Sequence, residues 1–327
     1  MELKNIAILG PRGNVGSGVI TELLKKSNNF SITAISRPSS TYEAPPNSDV
    51  TTKSVDYASF DSLRDAFAGQ DAIVNCITGG ATQYEPSKLI IDAAIAAGVP
   101  FYFANEFVGN IKTEQFIRLP ESRAGAKARI RTYLEELGQQ GKLQWTALNG
   151  GPFFDMWLMK GPAGFDVVNR QARIYGTGEH PLYWTPLSTI ARTVANMLAN
   201  PAPFVNHPVY ICPFKGLTQN KLLETLETVL GAKFETTAVD VALMNKNAKI
   251  AMERGDFVRA MRGFTFSNQF YEGDSGNDLS ALLENEAVGV EIISIEDGVR
   301  EAIERWGKDT PVVEGMYRIN PEDILEE

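Results

Sequence analysis

The chain has 327 residues, is 43% hydrophobic and 22% charged, and carries a net charge of −9. This length holds one large domain or two fused ones, and the composition is that of an ordinary globular protein. The acidic balance argues against a nucleic-acid or anionic-membrane partner. Two histidines, His180 and His207, with no clustered Cys/His spacing, give no support for a metal site.

An apolar strand over 5–9 runs into glycines at 10, 13 and 16 and then into a helix over about 16–27. That order is the start of a dinucleotide-binding βαβ unit. Gly10 allows the tight turn, Gly13 lets the backbone approach a pyrophosphate, and Gly16 lets the helix pack closely on the strand. Asn14 and Val15 lie within the turn, where main-chain N–H groups face the phosphates. Arg12 either adds a charge contact there or faces water.

The second strand, 31–36, selects the cofactor. A carboxylate at its end would accept from a ribose 2′-hydroxyl, but this chain has Ser36 and Arg37 followed by a Ser/Pro-rich loop over 38–48. A guanidinium pairs with a 2′-phosphate, so NADP(H) is expected over NAD(H).

Further strands are predicted near 50–55, 71–77, 100–104 and 144–149, with helices over 59–68, 85–97 and about 121–140. This alternation predicts a Rossmann-type, doubly wound parallel sheet covered on both faces, with right-handed crossovers. Asp56 is placed either at the adenine edge or as a cap on the following turn. Thr78, Gly79 and Gly80 end the fourth strand, where small residues admit a nicotinamide ribose. The string Tyr84-Glu-Pro-Ser-Lys88 has the spacing of a Tyr/Lys dehydrogenase pair but comes too early in the chain, and Pro86 is expected to spoil its helical spacing. Of the basic residues at 123–131 (Arg123, Lys127, Arg129, Arg131), most are expected on a solvated face. Lys127 stands near the start of its helix, from which it could reach the nicotinamide end of a cofactor. Residue physics by itself favours a surface lysine.

After Asn149 the pattern becomes irregular to about 185. Phe153, Phe154, Trp157 and Tyr183 form either an aromatic wall for a planar substrate or, the commoner fate, part of the core, and His180 lies in an aromatic-flanked turn where solvent exposure is favoured over a substrate contact. A helix at 186–199 and a strand at 208–212 read as the sheet resuming, with Thr218 capping a helix over 218–230. Residues 239–285 read as mostly helical with exposed aromatics, and a final helix covers 296–307. The expected organisation is an NADP-binding domain over 1–150 with returning elements at about 186–213, and a smaller, mostly helical substrate or lid region over 151–327. Cys76 and Cys212 are expected to be buried free thiols. No signal-peptide pattern or run of transmembrane length is read, so a cytoplasmic protein is expected.

These motifs resemble the NmrA-like, isoflavone reductase-like group of atypical short-chain dehydrogenases, to which the Gly-x-x-Gly-x-x-Gly spacing also conforms. The resemblance runs through Gly10–Gly16, Arg37, Val55-Asp56, Asp71-Ala-Ile-Val, Gln83, Ala96-Ala97-Gly98-Val99 and Phe103-Ala104-Asn105-Glu106-Phe107. It continues in Pro152-Phe153-Phe154-Asp155 and in Ile174-Tyr175-Gly176-Thr177-Gly178, which is similar to a Gly-Asp-Gly hairpin of the group. Departures are Pro11-Arg12 for a threonine, Ala104-Asn105 for Pro-Ser, and Val108 for a glycine. The resemblance implies Lys127 as the catalytic general acid or base. Asn105 and Phe153 join the cofactor set, and Phe107, Phe154, Trp157 and His180 form the substrate set. It implies an NADPH-dependent reductase of a small aromatic or polyketide-like molecule in specialised metabolism, acting at a C=C, C=O or benzylic carbon as a monomer or homodimer. A cofactor-sensing regulator without turnover, or an isomerase or epimerase using bound NADP, remains an alternative.

Overall fold

The computed structural model of the protein describes residues 1–26, 30–122 and 126–325. Its main sheet begins with β1 (Asn5–Leu9), α1 (Asn14–Lys25), β2 (Ser31–Ser36), β3 (Thr51–Ser54), α2 (Phe60–Phe67) and β4 (Ala72–Asn75). It continues through α3 (Tyr84–Ala96), β5 (Phe101–Phe103), a single turn α4 (Glu114–Ile117), α5 (Ala126–Gln139) and β6 (Gln144–Asn149). The strand order is β3-β2-β1-β4-β5-β6-β9, with every pairing parallel, β9 being His207–Tyr210.

Period-two alternation explains both faces. Ile6 and Ile8 of β1 pack into the layer holding α1 and α7 (Leu187–Ala199), while Ala7 and Leu9 pack into the layer of α2, α3 and α5. All four residues are fully buried, which is why the strand reads as an unbroken apolar run. The chain winds outward from β1 to β3 and returns on the other side of β1 as β4. The crevice beyond the carboxyl ends of β1 and β4 is therefore the topological switch point, where open α/β sheets hold ligands.

The second half departs from the predicted pattern. After α6 (Phe154–Lys160), a small sheet forms from β7 (Phe165–Asp166), β8 (Gln171–Tyr175) and β10 (Glu235–Val239), where only helix and turn were expected. The hairpin is β7–β8, so Gly176-Thr177-Gly178 follows the second strand as an exit turn. The helices α8 (Gln219–Leu230), α9 (Val241–Glu253), α10 (Phe257–Phe270), α11 (Ile295–Trp306) and the turn α12 (Glu314–Tyr317) complete the chain. Thr218 does cap α8, accepting from Lys221 N–H at 3.3 Å. The aromatics of α10 are mostly inside: Phe264, Phe266 and Phe270 are buried with Tyr175, Trp184 and Phe214, and only Phe257 is exposed. Arg123 and the first residues of the helix predicted from 121 include positions outside the described residues, as does Ser27 at the end of the first helix. Among the described residues no helix is long and apolar enough to cross a membrane.

Candidate active site

The first turn is built by contacts that exclude side chains. Gly10 has φ +73°, and a Cβ there would stand 2.7 Å from the Cys76 carbonyl oxygen at the end of β4. A Cβ on Gly16 would stand 2.3 Å from the Gly10 carbonyl oxygen, so only glycine lets α1 close onto β1. Gly13 is the N-cap of α1, and among the described residues no side chain caps the first helical N–H groups of Asn14, Val15 and Gly16. Val15 is buried, whereas Asn14 is exposed and its Nδ2 lies 3.6 Å from Met156 Sδ on α6.

The end of β2 is equally open. Ser36 is half-buried, and its carbonyl accepts from Val55 N–H at 2.9 Å. Arg37 and Arg12 are exposed, and neither guanidinium has an ion-pair or hydrogen-bond partner among the described residues, while the Arg37 carbonyl accepts from Ser40 N–H at 2.9 Å. Tyr57, which the sequence reading passed over, donates to the Ile35 carbonyl at 2.9 Å, and burial pushes its phenol up to about 12. Asp56 takes the capping role: its Oδ1 accepts from Ala58 N–H at 2.9 Å. Thr78, Gly79 and Gly80 are exposed beyond β4, with open space around both glycines and φ +78° at Gly79.

Lys127 is not a surface lysine. It is half-buried, and its Nζ donates to the main-chain carbonyls of Asn105 at 2.6 Å and Glu106 at 2.9 Å, with Asn105 Oδ1 at 3.4 Å. Burial lowers its pKa to about 8 against the opposing attraction of Glu106. Asn105 ties this point to β4 by donating to the Ile77 carbonyl at 2.6 Å. Lys127 therefore sits at the carboxyl end of β5, beside the switch-point crevice. The Cys76 thiol nearby is pushed up by burial to about 12 and is inert as a nucleophile.

Arg131, expected on the solvated face, is 1% exposed, one turn along α5 from Lys127. Its Nε donates to Glu106 Oε1 at 2.7 Å and a second N–H donates to Oε2. Asn149 adds a bond to Oε2 at 2.7 Å. A guanidinium needs a partner once it leaves water, and Glu106, only 3% exposed, is that partner. Arg129 does stay outside, paired with Glu121 at 2.7 Å and stacked 3.8 Å from the Tyr84 ring. Tyr84 and Lys88 are both in α3, whose first turn accommodates Pro86 because it needs no N–H there, so the expected break does not occur. Lys88 is instead held by Asp92 and lies over the Tyr133 ring.

Lys127 lines a small recess with Asn75, Tyr102, Asn105 and Glu106, and a separate cavity of about 290 Å³ begins one residue further along the chain, at Phe107. Phe107, Phe153, Met156 and Trp157 line one side, and Phe264, Asn268 and Asn277 line another. Phe107 adopts φ +45°, a strained setting for a bulky side chain that turns the chain from β5 into the cavity wall. None of the described lining residues is charged. The sequence reading missed Asn268 and Asn277, whose polar spacing carries no local signal. It also missed the Asp274 network behind them. Burial pushes that carboxyl up, but bonds from Lys249, Arg118 and Gln115 prevail and hold it well below the usual carboxylate range.

Two expected substrate residues lie elsewhere. Phe154 is fully buried in the core, its ring 4.6 Å from Phe214, because it is the first residue of α6 and faces α11 rather than the cavity. His180 is one step behind the wall: its Nε2 lies 3.0 Å from Ser275 Oγ and from Asn277 Oδ1, which belong to cavity-lining residues. Tyr183 likewise does not line the cavity and bonds to Asp278.

The NmrA-like family model matches residues 2–290. The Aspergillus flavus protein called oxidoreductase aprR is 26% identical over 290 residues, 86% of this chain and 95% of that relative. Among solved structures, an isoflavone reductase superposes with a TM-score of 0.70 at 21% identity, over 92% of this chain and 99% of that one. The quinone oxidoreductase QOR2 of Escherichia coli, solved with NADPH, gives 0.66 at 19% identity over 90% and 99%.

Proposed function

The chain belongs to the NmrA-like family, and from that premise we propose that it is an NADPH-dependent oxidoreductase reducing a small, uncharged aromatic or polyketide-like molecule at a C=C, C=O or benzylic carbon. The residues of the first turn fit the cofactor. The N–H groups of Asn14, Val15 and Gly16 have no side-chain cap among the described residues, and Gly10, Gly13 and Gly16 leave the close approach that a pyrophosphate needs. The unpaired guanidinium of Arg37, with Arg12 nearby in the turn, suits a 2′-phosphate. Ser36, Asn105 and the small residues Thr78–Gly80 would line the remaining length, with Phe153 at the cavity end. Bound there, the nicotinamide supplies the hydride.

The observation that carries the reading is the placement of Lys127. The main-chain carbonyls of Asn105 and Glu106, the two residues before Phe107 enters the cavity wall, hold its amine just beyond the end of β5. Lowered to about 8, its pKa lets it hold a proton at neutral pH and release it readily. In the direction of reduction, Lys127 acts as general acid toward the substrate atom that gains negative charge, and its amine recovers a proton from water. Phe107, Phe153 and Trp157 flank a planar substrate and exclude water. The uncharged, largely apolar cavity favours turnover over cofactor sensing, for which no substrate cavity is needed.

The test is NADPH oxidation with quinone, enone and aryl-ketone panels. Stoichiometric consumption supports a reductase. Substrate conversion without net NADPH loss points to an isomerase, and tight NADPH binding without turnover on any class points to a sensor.

A further inference from the structure

A second cavity of about 240 Å³ adjoins the first. The two have Trp157, Met261 and Thr265 in common, so the boundary between them consists of side chains that touch both. Helix α10 explains this. Val258, Met261, Arg262 and Thr265 follow one another at helical spacing along the second cavity, while Met261, Thr265 and Asn268 continue along the first. From Val258 to Asn268 at helical rise, the groove runs about 15 Å. Pro162, Met316 and Ile319 close its far side. Val258 and Met316 are 50% and 41% exposed, leaving apolar surface at the mouth that a ligand would cover.

We infer that this second cavity is a tail subsite for the same substrate, which carries an apolar extension, alkyl, prenyl or a second ring, running along α10 past Trp157. The inference rests on the reading of the first cavity as the reaction chamber. Adjacency, with Trp157, Met261 and Thr265 lining both cavities, favours the tail of one ligand over an unrelated occupant. The head would lie between Phe107 and Phe153, and the tail would lie on Val258, Met261 and Met316.

The test is calorimetric titration of the NADP⁺-loaded protein with 4-methylphenol, 4-butylphenol and 4-hexylphenol. Each methylene buried in the second cavity should tighten binding about fourfold. Val258→Trp and Met316→Trp, both at exposed positions that tolerate bulk, should flatten that dependence. A Kd indifferent to chain length, no binding of 4-hexylphenol, or a gain that survives both variants would overturn the tail subsite. A second cavity that serves a protein or membrane partner instead would give the first of these patterns, and an alkyl chain buried elsewhere would give the last. Because the titration reads binding without turnover, failure of the reductase reading shows separately, as absent NADPH oxidation beside an intact length dependence.

Discussion

Lys127 donates to the main-chain carbonyl of Glu106 at 2.9 Å, while the carboxylate of the same Glu106 is held by Arg131. One residue thus links the candidate catalytic amine to a buried ion pair a turn further along the helix. The consequences can be measured separately.

Replacing Lys127 by Met removes the proposed proton donor without touching the glycine turn. Turnover should fall about 10²–10⁴-fold, with NADPH affinity retained in a direct titration. An equal loss of cofactor binding would mean that Lys127 is structural.

The pH dependence has a definite sign. As an acid, Lys127 must be protonated, so the reduction rate should decline as pH rises through about 8, and this limb should vanish in Lys127→Met. Stability moves the other way. The folded state gives up this proton at about 8 and the unfolded chain near 10.5, so the penalty of the buried charge is relieved, and stability gained, as pH climbs through that window. Urea midpoints of the wild type and Lys127→Met across that range check the difference.

Arg37 is exposed, so Arg37→Ala should fold normally. Loss of a charged hydrogen-bond partner for the 2′-phosphate should weaken NADPH binding roughly 10–100-fold and leave NADH almost unchanged. Equal weakening of both cofactors would refute the assignment.

Arg131→Met leaves Glu106 buried without its counter-charge and should cost about 3–5 kcal/mol in chemical denaturation. Pairing it with Glu106→Leu should recover part of the loss, because the isolated charge goes with it. Strictly additive effects would show that the two side chains are not coupled.

Much of this was legible locally. The turn from β1 to α1 needs glycine at fixed positions, and strands buried on both faces read as apolar runs, so the sheet and the cofactor crevice follow from neighbouring residues. Strand β10 could not be read so, because Glu235–Ala238 are exposed and pair with β8 more than sixty residues earlier. Arg131 resembled any helix-surface cation, since its partner lies twenty-five residues away in sequence. The one available signal was Glu106, a carboxylate at the end of the apolar run Phe101–Ala104, where a buried charge demands an opposite one. Phe154 and Phe153 are adjacent and chemically identical, and only the start of α6 decides which of them enters the core.

The most direct measurement is a crystal structure with NADP⁺ bound, read at the nicotinamide C4. The account predicts that C4 faces the cavity between Phe107 and Phe153, with the Lys127 amine within ~3 Å, directly or through one water, of an oxygen placed above it. A nicotinamide turned away from that cavity, or Phe153 filling the space above C4, would contradict it.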